Sequence, residues 1–134
     1  PFSRPGSGKS RPPDLVDLFA SAKGFTKVGR REFHHADGSR LTASPNLKEA
    51  WDHWDPDGQL VECYLFVEGG QVDKRIEIRA EVWILLEAQP ELYSLVFKDK
   101  HGQLVVIPGA TLIAWLEQGK LKLSPAAYWL EYTA

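Results

Sequence analysis

Leu60-Val-Glu-Cys-Tyr-Leu-Phe-Val67 is the segment that most restricts how this chain folds, because only Glu62 interrupts eight otherwise apolar or aromatic positions. Alternate residues of a strand point to opposite faces, so a run apolar at both parities predicts a strand buried on both sides. Such a strand must lie inside a sheet, with something packed above it and below it. Asp55-Pro56-Asp57-Gly58 supplies turn chemistry before it, and Glu68-Gly69-Gly70-Gln71 closes it.

The flanking segments provide the covering layers. Leu15, Leu18, Phe19 and Ala22 recur at helical spacing after Pro12-Pro13, and Gly24 stands where that helix ends. Phe25 to His34 reads as one arm of a basic hairpin, with Ala36-Asp37-Gly38-Ser39 turning into Leu41-Thr42-Ala43. Leu47, Ala50, Trp51 and Trp54 form a stripe that predicts one or two helical turns. Arg75-Ile-Glu-Ile-Arg79 alternates as a hairpin partner of the central strand, and Val82, Trp83, Leu85 and Leu86 mark a buried helix ended by Pro90. Strands are expected over Glu91–Lys98 and Leu104–Ile107. A helix follows from Pro108 to Gly119, and Ser124-Pro125 reads as the start of a short terminal helix through Tyr132. The expected class is α+β: a single compact domain with a mixed or antiparallel sheet of about five strands and three to four short helices.

Residues 1–13 are rich in Pro, Gly and Ser and read as a flexible linker, leaving 14–134 as the domain. A chain that opens on such a linker is expected to be a piece of a larger protein, with that protein's other domains as partners. Gly6-Ser-Gly8-Lys9-Ser10 imitates the end of a phosphate loop, but it lacks the earlier glycine and the upstream strand, and Arg11-Pro12-Pro13 forbids the helix. One cysteine, Cys63, allows no internal disulfide, which favours a reducing, cytoplasmic setting. No apolar run is long enough for a membrane span.

The net charge of −2 conceals a partition. Residues 1–31 sum to +5, residues 32–73 to −7, and the remainder to zero. Seven bases crowd the first part, and Lys23, Lys27, Arg30 and Arg31 are the candidate nucleic-acid contacts, because clustered cations neutralise backbone phosphates. Lys27 and Arg31 are expected on one strand face and Arg30 on the other. Phe25 and Phe33 interleave sparsely, so backbone contact is favoured over base stacking.

Other constellations are weaker. Asp55-Pro-Asp57-Gly58 fails the register of a calcium loop, since His53 and Tyr64 would fall on its first and last ligand positions. His34-His35 with Asp37, and Asp52-His53 with Asp55, suggest a metal only until strand alternation separates the adjacent histidines. No metal site is assigned. Trp51 and Trp54, set among Asp52, His53 and Asp55, offer an acidic, aromatic surface for a protein partner.

Pro56-Asp57 followed by Glu77-Ile-Arg79 resembles the Pro-Asp…Glu-x-Lys pattern of nucleases with the restriction-endonuclease-like fold, with arginine in place of lysine. The order of elements from Asp14 to Phe97 is similar too. That resemblance implies a magnesium-dependent nuclease or an inactive relative, with Asp57 and Glu77 as metal ligands and Arg79 as the cation. A second mapping puts Glu62-Cys-Tyr64 at the same point, without any base. The preferred expectation is a non-catalytic module that recognises DNA through the basic hairpin and linker, needing no cofactor. The nuclease, which alone would need magnesium, and a protein adaptor are the alternatives.

Overall fold

A computed structural model describes residues 14–68, 71–72, 75–123 and 129–132. The chain opens with helix α1 (Leu15–Ala22), which Gly24 stops at a φ of 86°. Five strands follow as an antiparallel meander: β1 (Phe25–Gly29), β2 (Glu32–His35), β3 (Arg40–Ala43), β4 (Ala50–Trp54) and β5 (Leu60–Phe66). After the short strands β6 (Gln71–Val72) and β7 (Arg75–Glu77), helix α2 (Ala80–Ala88) leads to β8 (Tyr93–Lys98). Then come β9 (Leu104–Pro108), α3 (Gly109–Glu117), β10 (Leu121–Leu123) and β11 (Trp129–Tyr132).

The large sheet has seven strands in the order β9-β8-β5-β4-β3-β2-β1. Every pair is antiparallel except β5 with β8, which α2 joins as a crossover. The second sheet has four strands, β10-β11-β7-β6. The molecule is therefore α+β with a mixed sheet, as its patterning predicts, but with more strands and a second sheet that the patterning did not separate.

Two cores flank the large sheet. One lies beneath α1, where Leu15, Phe19 and Ala20 meet Phe33, Leu41, Trp51, Tyr64, Phe66 and Val96. The other joins Ala50, Cys63, Leu65, Leu95, Phe97 and Ile107 to Ile76, Ile78, Val82, Trp83, Leu86, Leu112 and Leu121. Tyr64 and Phe66 enter the first, Cys63 and Leu65 the second, which is the two-sided burial expected of the central strand.

Three expectations are corrected. Leu47–Trp54 is not helical: Ala50 faces one core and Trp51 the other, the alternation of a strand, and the turn at Asp55 pairs β4 with β5. A short apolar stripe fits either period, and here the hairpin decides. Arg75–Glu77 pairs with β11 and β6 rather than with the central strand. Trp129–Tyr132 is a strand held between β10 and β7, so sheet pairing overrides the cap-like Ser124-Pro125, which itself falls outside the described residues, as does the 1–13 linker.

Candidate functional site

Antiparallel order sorts the connections of the meander to two ends of the sheet. At one end gather the β1–β2 turn with Arg30 and Arg31, the β3–β4 loop from Ser44 to Glu49, the end of β5 and the start of α1. At the other end are the turns carrying Asp37 and Asp55-Pro-Asp57, where a Cβ on Gly38 would lie 3.3 Å from the Pro56 Cβ. The bases Arg30, Arg31 and Lys48 thus sit a strand's length from the acidic turns. Among the described residues no ion pair joins a base of 14–31 to an acid of 32–73.

The first end is hollowed into a cleft of about 620 Å³. Arg30, Arg31, Lys48 and Arg79 supply its positive charge, Glu49, Glu68 and Asp14 its negative charge, and the buried Trp51 and Phe66 contribute apolar surface. Local hydrogen bonds fix its rim. The Arg31 carbonyl accepts from Ala43 N at 3.0 Å, and Arg31 Nη2 donates to the Ser44 carbonyl at 2.9 Å. Phe66 N donates to the Glu49 carbonyl at 2.9 Å, which holds Glu49 against the end of β5. Glu68 Oε1 accepts from Leu15 N at 3.3 Å and so caps the first turn of α1 with a carboxylate.

Glu49 differs from the other acids here. Its Oε2 accepts from Arg79 Nη1, while its Oε1 is shielded from solvent with no hydrogen-bond partner among the described residues. Arg79 also donates to Glu81 at 3.1 Å, and these two carboxylates raise the pKa of the guanidinium further. Arg30 and Lys48 are exposed and have no acid partner among the described residues.

The remaining candidates are dispersed. Lys23 lies at the far end of α1 with its ammonium 5.7 Å from the Phe19 ring centre, and Lys27 pairs with Asp17 at 3.3 Å. A bulge between Lys27 and Gly29 removes the simple alternation expected of the hairpin, and Arg30 and Arg31 both reach the cleft from the turn. Asp57 sits in the β4–β5 turn, which Asp55 Oδ1 organises by accepting from Asp57 N and Gln59 N, both at 2.9 Å. Glu77 belongs to β7, two residues before Arg79, which bonds Glu49 at the opposite end of β4. Five strand residues separate the two ends, about 16 Å at roughly 3.3 Å each. Asp57 is therefore not brought to Glu77 and Arg79 as shared metal ligation would need. Glu62, the alternative acid, accepts from the buried Ser94 hydroxyl.

His34 bonds Glu32 and His35 bonds Asp37, on opposite faces of β2, and among the described residues no three metal-ligating side chains converge. Trp51 and Trp54 do not share a surface. Trp51 packs on Phe33 beneath α1, whereas Trp54 faces the other way, donating to Thr42 Oγ1 at 2.8 Å beside Arg40. Burial, with Asp52 nearby, pushes the Cys63 thiol well above its ordinary pKa, which makes it an unreactive core residue.

Of the cleft-lining charges, Arg30 and Arg31 stand out in the sequence as clustered bases and Arg79 as a nuclease-like cation, whereas Lys48, Glu49 and Glu68 carry no sequence signal. Nothing in their spacing links them; the meander alone brings them to one end. No family model, curated protein or solved structure matches the chain. Among the described residues no helix is long and apolar enough to cross a membrane.

Proposed function

We propose that this is a non-catalytic nucleic-acid recognition module that grips DNA by its phosphates at the mouth of the cleft. One observation carries the reading: three exposed bases from two separate loops, Arg30, Arg31 and Lys48, stand together without acid partners among the described residues. Cations left free of internal pairs are available to displace the counterions of a phosphate backbone, and no chemistry at the site needs a metal.

The reading is tested by titrating labelled duplex DNA with the domain over a series of salt concentrations. Three phosphate contacts give a slope of log K against log salt near −2.7, at about −0.9 per contact. Replacing Arg30 and Arg31 together by alanine is expected to flatten the slope by about 1.8. Binding indifferent to salt, or unaffected by the double substitution, overturns it. A magnesium-containing arm expects no cleavage; cleavage abolished by Asp57→Asn or Glu77→Gln would restore the nuclease alternative.

A further inference from the structure

From the same cleft we infer a second layer of recognition, which rests on the proposed phosphate grip: an unpaired nucleobase carrying an exocyclic amino group enters the cleft and donates to Glu49. Three features carry it. A volume of about 620 Å³ lies within the range of small-ligand sites and admits one nucleotide, whereas a duplex is too wide. Trp51 and Phe66, both more than nine-tenths buried, give that space an apolar floor. Glu49 Oε1 is a buried acceptor with no donor among the described residues, a costly arrangement that a ligand N–H would relieve.

The chemistry of the acceptor selects the base. A carboxylate accepts only, and Arg79 already occupies Oε2, so the free oxygen takes a single projecting donor. The amino groups of cytosine and adenine project in that way. Thymine offers only its N3–H, recessed between two carbonyl oxygens whose lone pairs repel a carboxylate. Oε1 lies beneath the surface, so the entering base must displace the groups over it while Arg79 keeps its bond to Oε2.

The test compares binding of single-stranded oligo-dC, oligo-dA and oligo-dT of about twelve nucleotides at fixed salt. The unmodified domain is expected to bind oligo-dC and oligo-dA about tenfold more tightly than oligo-dT, the size of one discriminating hydrogen bond. Glu49→Gln should remove that preference, read as the ratio of oligo-dC or oligo-dA affinity to oligo-dT affinity, with thermal melting as the check on folding. Equal affinity for all three overturns the inference while salt-sensitive binding preserves the phosphate grip. A preference that survives Glu49→Gln overturns it as well. Absence of binding to any DNA removes both readings. The ranking in the unmodified domain decides the matter even where the variant fails to fold.

Discussion

The two halves of the large sheet are covered differently. Strands β5 and β8 are sandwiched, with α1 on one face and α2, α3 and the second sheet on the other, and Leu65, Leu95 and Val96 have no exposed surface. Strands β1 to β3 pack only towards α1. Their other face carries Glu32, His34, Arg40 and Thr42, joined by the Glu32–His34 and Glu32–Arg40 pairs and by Thr42 with Trp54. Burying apolar surface on both sides stabilises far more than a polar ladder in water, so the sandwiched half holds the fold together. The half-open region is free to tolerate charge, and it supplies Arg30 and Arg31.

The strongest challenge to that contrast is Gly109→Ala, where α3 meets the sandwiched half. An added Cβ would lie 2.6 Å from the Pro90 carbonyl oxygen and 2.7 Å from that of Tyr93, so backbone must move. Denaturant titration is expected to show a loss above about 4 kcal/mol or no folded protein. Next, Leu95→Ala should cost about 3 to 4 kcal/mol for the cavity it leaves, whereas Thr42→Ala on the open face should cost about 1 kcal/mol for the hydrogen bond from Trp54. Equal losses at the two positions would erase the distinction.

The smallest effect concerns acid. The hydrogen bond from His34 holds the Glu32 carboxyl below its ordinary pKa of 4.5, and Asp37, bonded by Ser39 N, is lowered from 3.8. A carboxylate whose pKa is lowered on folding adds stability above its ordinary value and loses it as pH falls through the folded one. The difference in melting temperature between the unmodified chain and Glu32→Gln should therefore be small near neutrality and shrink as pH falls below the ordinary 4.5. A gap that widens in acid would mean that the open face does not rest on these ionised pairs.

What could be seen in the sequence follows the same division. Where burial dictates one period, as in β5, α1, α2 and β8, the elements stand close to their expected places. Leu47–Trp54 misled because its apolar positions, at intervals of three, one and three, fit a helical stripe although Ala50 and Trp51 face different cores. The second sheet was invisible because β7 and β11 are short and their pairing joins segments more than fifty residues apart. The same reason hid the cleft: Arg31 and Arg79 are local features of unrelated loops until the meander and the α2 crossover set their neighbours.

That crossover also orders events in time. The hairpins from β1 to β5 close short loops, whereas pairing β8 with β5 must first bring together strands separated by the twenty-six residues from Val67 to Leu92. The meander, with its arginine-bearing turn, is thus expected to assemble ahead of β8. During synthesis, the arginine-bearing end would take shape before the half that makes it permanent.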